Sequence, residues 1–316
     1  MTTSAGMPRD LSSIREATRS FIRDQVIPLE SVHGTDLHHA TELRAELQAA
    51  ARQAGVFGPQ IPVALGGLGL DRTGQAQILE EAGYSLLGPH ALNCAAPDEG
   101  NIHLLDVVAD PTQREQYLVP LAAGAISSCF AMTEPAPGAG SDPSLLATAA
   151  TRVTGGWSIT GRKWFITGAS TAGVIICMAR TSGDPGDRHG ATMFLVDPDH
   201  PGVRIERSID TLDRAFYGGH AELVFDDCCV DDDAVLGAVN EGFVLAQVRL
   251  APARLTHCMR WLGVAQRSQD IAARRANERM AFGHRLGELG MVQHMVAESE
   301  IDLTAGRALV REAAAV

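Results

Sequence analysis

Two changes of hydrophobic period divide this chain, and they restrict its fold more than any other feature. From about residue 10 to 125 the apolar residues recur at helical spacing. Leu43, Leu47, Ala50 and Ala54 are separated by 4, 3 and 4 positions, and Gly55 follows as a stop. Leu79, Ala82, Leu86 and Leu87 form another buried stripe, expected to break at Gly88-Pro89. From about 126 to 235 short β-rich runs take over, at 126–132, 157–160, 163–167, 174–180, 191–196, 203–207 and 221–225. Gly155-Gly156, Gly161, Asp184-Pro185-Gly186 and Pro201-Gly202 punctuate them as turns. After Gly237 the helical spacing returns, with one stripe at Leu262, Ala265, Ala272 and Ala276 and another at Val292, Val296, Leu303 and Val310. Strands this short and close, with no helices between them, favour a barrel or sandwich over a doubly wound sheet. The expected fold is therefore α+β. An N-terminal all-helical domain spans 1–125, a middle β-barrel or β-sandwich domain 126–235, and a C-terminal helical bundle 236–316. The last helix runs to Val316 without a stop signal, so the bundle is expected to be incomplete, needing a partner or further chain.

Charge and composition narrow the function. Lys+Arg 26 against Asp+Glu 38 gives a net charge of −12, the wrong sign for a general nucleic-acid binder. A mean hydropathy of +0.01 with 45% hydrophobic residues excludes a disordered or fibrous chain. No run of about 18 apolar residues is present to span a membrane. The first ten residues lack the basic and apolar regions of a secretory signal, so the cytoplasm is the expected location. Cys94, Cys129, Cys177, Cys228, Cys229 and Cys258 are scattered without metal-ligand spacing and read as reduced core thiols; no metal is expected. The acidic run at 226–233 reads as a solvated loop. Lys163 is the only lysine, a bias of the kind a GC-rich genome produces.

Four segments carry possible chemistry. The strongest is Phe130-Ala131-Met132-Thr133-Glu134-Pro135, continuing through Gly138-Ala139-Gly140-Ser141-Asp142. A strand gives way there to a Gly/Pro-rich loop that either lets backbone approach an anionic ligand or simply turns the chain. It is neither a Walker loop nor a dinucleotide-binding fingerprint. Gly161-Arg162-Lys163-Trp164-Phe165-Ile166-Thr167-Gly168 reads either as a core strand or as a ring beside a planar cofactor with a donor at its edge. Arg254, with Gly263 and Ala265-Gln266 beyond it, is the third. Arg279-Met280-Ala281-Phe282-Gly283 closes a long helix, where the arginine either clamps a phosphate or complements the helix dipole.

In this order and on this layout, the four segments resemble the acyl-CoA dehydrogenase family. Thr133-Glu134-Pro135 with Gly138-Ala139-Gly140-Ser141-Asp142 is similar to the family's first signature. Phe165-Ile166-Thr167 sits at its flavin-packing Trp-Ile-Thr, and Arg279-Met280-Ala281-Phe282-Gly283 at its Arg-x-x-Phe-Gly. Gly66-Gly67-Leu68-Gly69, Glu80-Glu81-x-Gly83 and Val235-Leu236-Gly237 with Glu241-Gly242-Phe243 also fit, so the resemblance covers about residues 10–316. Arg249-Leu250-x-Pro252-x-Arg254 followed by His257-Cys258-Met259-Arg260 looks more like the subgroup acting on longer or hydroxylated acyl chains.

The resemblance implies an FAD-dependent oxidoreductase of fatty acid metabolism. It would α,β-dehydrogenate an acyl-CoA to the trans-2-enoyl-CoA and pass electrons to an electron-transfer flavoprotein. By the same resemblance, Phe130, Met132, Thr133, Gly140, Ser141, Phe165, Ile166 and Thr167 contact the flavin. Ser141 and Arg254 contact the acyl-CoA, and Arg279 and Phe282 reach the FAD of a neighbouring subunit in a homodimer or homotetramer. Three departures stand out. Ala136 and Pro137 lengthen the signature, and Gly290 replaces a glutamine that often contacts FAD. The largest concerns the base. Abstracting an α-proton asks for a carboxylate held in an apolar pocket. The family keeps it before the arginine matching Arg254, where this chain has Ala253, or in the C-terminal helical region beyond Val316. The alternatives are an acyl-CoA oxidase or flavin monooxygenase on the same scaffold, or a catalytically incomplete flavin- or CoA-binding subunit.

Overall fold

The computed structural model describes residues 10–34, 36–37, 40–212 and 217–316. Helix α1 (Leu11–Phe21) starts where the Asp10 carboxylate accepts the Ser13 N–H, and a π-helical turn, Ile22–Val26, joins it to α2 (Ile27–His33). Helix α3 (Thr41–Ala54) ends at Gly55, which takes φ +69 as the stop signal requires. Helix α4 (Arg72–Gly83) is capped by Asp71 and buries Leu79 and Ala82. Leu86 is exposed, and Gly88-Pro89 does not break the stripe but opens the short α5 (Gly88–Ala91). Proline at a first helical turn loses no hydrogen bond, so the same dipeptide can start a helix. Helix α6 (Asp98–Val108), then α7 (Pro111–Gln113), a second π-helical turn and α8 (Val119–Ala122) complete the first helical layer.

The strands are β1 (Ser127–Ala131), β2 (Ala149–Val153), β3 (Gly156–Thr167), β4 (Ala172–Arg180), β5 (Ala191–Val196), β6 (Val203–Ser208), β7 (His220–Asp231) and β8 (Val235–Leu236). They pair in the order β6-β7-β3-β2-β4-β5-β8, with β1 parallel to β4. The β2–β4 join is a single residue pair, Ala149 with Arg180, so the sheet has two halves. They close over one core, where Trp157 of β3 meets Phe194 of β5 with ring centroids 5.8 Å apart. One expected turn and part of the expected acidic loop are strand. Gly161 lies inside β3, and the acidic run belongs partly to β7, where Asp227 takes φ +45. Both sit at a register shift between β3 and β7, which absorbs their irregular backbone. Strand β4 is buried on both faces. Ile175, Cys177 and Ala179 fill the sheet core, while Val174, Ile176 and Met178 pack on the helical layer.

Helix α9 (Gly242–Glu278) ties the layers together over about 55 Å. Its crossing with α4 is set by two glycines. A Cβ on Gly263 would lie 2.1 Å from the Glu80 carbonyl oxygen, and one on Gly83 2.0 Å from that of Arg260. After α9 the chain makes a two-pair hairpin of β9 (Met280–Ala281) and β10 (His284–Arg285), then α10 (Gly290–Ala315). Ala265 and Ala272 face an open groove between α9 and α10 of about 970 Å³. Cys94, Cys129, Cys177 and Cys228 are buried free thiols, but Cys229 and Cys258 are exposed, outside any core. Among the described residues, no helix is long and apolar enough to cross a membrane, and no cluster of side chains could hold a metal.

Candidate active site

Strand β3 leaves its partner β7 for two residues. Lys163 pairs with Leu223 and Ile166 with Ala221, so Trp164 and Phe165 stand opposite one residue. Trp164 turns its backbone to the chain beyond β1 instead: its N–H donates to the Thr133 carbonyl at 3.1 Å, and its carbonyl accepts the Thr133 hydroxyl at 2.5 Å. Phe165 takes φ +51, a conformation that costs a non-glycine residue about 1–3 kcal/mol. Its ring stands edge-on to Trp164 and is 49% exposed. Ile166 returns to the core, and Thr167 places its hydroxyl 3.0 Å from Nδ1 of His220. An aromatic face is thus displayed at a conformational cost, with a threonine hydroxyl on either side.

Beneath this ledge lies a buried ion pair. Lys163 is 0% exposed, and its Nζ donates to Glu134 Oε1 at 2.9 Å and to the Met132 carbonyl at 3.1 Å. The Glu134 carboxylate also accepts the backbone N–H groups of Ala139, Ala147 and Thr148 at 2.8–3.0 Å. Burial alone would raise this carboxyl, but Lys163 and the N–H donors outweigh it and hold it at about 2. One carboxylate therefore pins both ends of the Gly/Pro-rich loop to β3. The signal in the sequence was the lone lysine: at a fully buried site opposite one carboxylate oxygen and one carbonyl, a compact ammonium is not interchangeable with a guanidinium.

A second buried network joins α6 and α9 to β1. Ser128 donates from its N–H and its hydroxyl to Asp98 Oδ1, both at 2.7 Å, and accepts from the Asn101 amide at 2.8 Å. Arg249 Nε donates to Asn101 Oδ1 at 2.6 Å, and its guanidinium lies 4.1 Å from the Phe130 ring centroid. Burial pushes Asp98 up and Arg249 down, the latter to about 10, so Arg249 is still a cation at neutral pH. Arg249 and Phe130 stood in separate motifs, but nothing in the sequence tied them to Asp98, Asn101 and Ser128, which they meet only in the fold.

The structure brings Phe130, Met132, Thr133, Phe165, Ile166 and Thr167 into one region. Gly140 belongs to it through its carbonyl, which accepts the Glu134 N–H at 3.1 Å, and Ser141 follows on the exposed side of the loop. Arg254 is exposed on α9, one turn beyond Arg249, and Ala253 faces Gly100 of α6. His257 is likewise exposed, and its Nε2 accepts the Trp261 indole N–H. Glu99 is a buried carboxylate near this turn. The Thr256 hydroxyl donates to it at 2.9 Å and Arg260 lies 3.6 Å away, so its charge is already partnered. Arg279 and Phe282 do not join the site within one chain, for α9 carries them about 45 Å beyond Arg249. There Arg279 caps the helix and Phe282 forms the hairpin tip, 90% exposed at φ +53.

Three comparisons agree on what the chain resembles. Models of the acyl-CoA dehydrogenase N-terminal, middle and C-terminal domains match residues 8–125, 129–228 and 240–316. The probable acyl-CoA dehydrogenase FadE2 of Mycobacterium tuberculosis is 37% identical over 280 residues, which are 88% of this chain and 68% of that protein. Human acyl-CoA dehydrogenase family member 11 is 35% identical over 274 residues, 85% of this chain but 35% of that protein. The chain therefore spans about two thirds of the first relative and about one third of the second. A solved structure of a putative acyl-CoA dehydrogenase from Mycobacterium abscessus superposes with a TM-score of 0.88 at 34% identity, covering 98% of this chain and 80% of that one.

Proposed function

The chain belongs to the acyl-CoA dehydrogenase family, and from that premise we propose that it oxidises an acyl-CoA thioester to the trans-2-enoyl-CoA, with FAD as cofactor and an electron-transfer flavoprotein as onward acceptor. The observation that carries this reading is the ledge at 164–167. An aromatic face held open at φ +51 and flanked by hydroxyls is what a planar, hydrogen-bond-accepting ring system covers, so the residues present fit the flavin. FAD, when bound, supplies the hydride acceptor for this chemistry. Phe165 and Ile166 would form the apolar support. Thr167 and the strand-end backbone from Phe130 to Thr133 would donate at the ring edge, where they favour developing negative charge, while the Thr133 hydroxyl stays bonded to the Trp164 carbonyl. Lys163 and Glu134 hold those donors still, so they need no reorganisation during reaction.

On the substrate side, Gly140-Ser141 would meet the phosphate-bearing part of the acyl-CoA and Arg254 the acyl portion. With Ala253 before Arg254, α9 offers no carboxylate at that position, and Glu99 is committed to Thr256 and Arg260. None of these residues is assigned the α-proton. Arg279 and Phe282 would act on the FAD of a second copy, making the working form a homo-oligomer. An anaerobic visible spectrum, taken before and after a panel of acyl-CoAs, tests the reading. A yellow protein bleached by one chain-length class is expected. Yellow protein that no acyl-CoA bleaches would leave the flavin site and remove the dehydrogenase; colourless protein would remove both.

A further inference from the structure

Away from the ledge, two arginine ladders face one another. Arg15, Arg19 and Arg23 repeat every four residues along α1 and the π-turn after it, and Arg307 and Arg311 do so on α10. All five line one cleft of about 370 Å³, floored by the close crossing of α4 and α9 at Gly83 and Gly263. Like charges four apart on a helix repel each other, so such ladders ask for negative charge nearby. The cleft supplies only part of it. Glu81 accepts both Arg15, at 2.9 Å, and Arg19, at 2.8 Å, while Glu80 accepts Arg307 at 2.7 Å. Asp270 is the third carboxylate, and it takes the Tyr84 hydroxyl at 2.7 Å and the Gln266 amide at 2.9 Å rather than an arginine.

Counting Glu16, which lies 3.5 Å from Arg19 at the rim, five guanidinium groups face four carboxylates, so the cleft keeps a net positive charge in a chain whose net charge is −12. The surplus is localised. Arg23 and Arg311 are exposed and form no ion pair among the described residues; Arg23 lies over the Tyr84 ring at 4.7 Å. The other three are held in place by their carboxylates. An ion-pair joint between helices gives Arg23 and Arg311 no part to play. A volume of 370 Å³ falls within the range of small-molecule sites, about 300–1,000 Å³. Guanidinium forks match phosphate oxygens in geometry and charge.

We propose that this cleft is a binding site for a small phosphorylated anion, with Arg23 and Arg311 as its contact residues and Arg15, Arg19 and Arg307 as the preset wall. Its ligand would clasp α1, α4, α9 and α10 together, and so stabilise the docking of the two helical layers by mass action. The cleft shares no residue with the ledge, so this inference stands or falls independently of the flavin reading.

The test is calorimetric titration of the purified protein with inorganic phosphate, pyrophosphate and glucose 6-phosphate at constant ionic strength, together with thermal melts. Saturable binding is expected, with a Tm that rises with ligand concentration. Binding should weaken at least tenfold in Arg23→Gln/Arg311→Gln and remain unchanged in Arg204→Gln, an exposed arginine on β6. Tighter binding of the sugar phosphate than of the inorganic anions would identify an organic phosphomonoester as the ligand class, and the reverse order an inorganic one. If none of the three saturates, or the double variant binds as the parent does, the cleft is an ion-pair joint and nothing more.

Discussion

Among the described residues two phenylalanines adopt left-handed backbone, and they do so in opposite settings. Phe165, at φ +51, is framed by its own chain: Trp164 is bonded to Thr133, Ile166 is in the core, and Lys163 is locked onto Glu134. Phe282, at φ +53, occupies the tip of a hairpin with two residue pairs, and the next residue, Gly283, has φ +80. A two-residue hairpin turn requires positive φ at both positions and ordinarily carries Asn-Gly, so phenylalanine is there against local preference. The strain at Phe165 is over-determined by buried partners, whereas none of the described residues covers Phe282. On the proposed function, the first ring would serve a ligand of its own subunit and the second a surface that another molecule provides.

The framing of Phe165 should break most completely at Lys163. Lys163→Met leaves the Glu134 carboxylate buried among backbone donors without its cation, and losing one partner of such a pair costs about 3–5 kcal/mol. Urea unfolding should show a loss of that size, and flavin should be absent from the purified variant. Acid should reach the same pair from the other side. Glu134 is held at about 2 against an ordinary 4.5, so its stabilisation is complete above pH 4.5 and drains away as pH falls towards 2. The amount is on the order of 3 kcal/mol. Urea unfolding free energies at pH 5.5 and pH 3 should differ by about 2 kcal/mol of it, because pH 3 still lies above the folded-state value. A Lys163→Met variant with the same acid sensitivity as the parent would show that the ion pair is not its source.

The helical–sheet–helical order was legible because period is a local property. The capping of α3 by Gly55 and the both-sides burial of β4 follow directly from it. The ledge was half legible. Phe165, Thr133 and Thr167 stood out as motif residues, but the displacement that exposes Phe165 depends on a register shift against β7, more than fifty residues away. The network from Asp98 to Arg249 was invisible for the same reason. It is assembled from α6, β1 and α9, and the motif around Arg249 says nothing of Asp98, Asn101 or Ser128. Lys163 was visible as the lone lysine, but nothing beside it in the chain announces the buried Glu134 carboxylate that it meets.

Smaller effects test the ledge chemistry without disturbing the frame. Thr167→Val removes a hydroxyl, and with it the contact to His220, at a cost of about 1 kcal/mol in stability. If that hydroxyl donates at the flavin edge, reduction by acyl-CoA should slow about tenfold, equivalent to about 1.4 kcal/mol in the barrier, while FAD stays bound. Stopped-flow bleaching at 450 nm or so reads it, and an unchanged rate removes Thr167 from the chemistry.

The least disruptive change separates the two phenylalanines. Phe282→Asn replaces an exposed ring with a residue that tolerates left-handed backbone, so the free energy of unfolding should shift by less than about 0.5 kcal/mol. The same substitution at Phe165 should not be so mild, since Trp164 loses its ring partner there. If a second copy meets the hairpin, Phe282→Asn and Arg279→Ala should both release FAD more readily. The loss should deepen on dilution, because diluting the protein separates the copies before it unfolds them. Flavin retention followed by ultrafiltration over a hundredfold range of protein concentration distinguishes the cases. Retention independent of both substitution and concentration would mean that the hairpin ring serves no flavin, and that its strained display has some other partner.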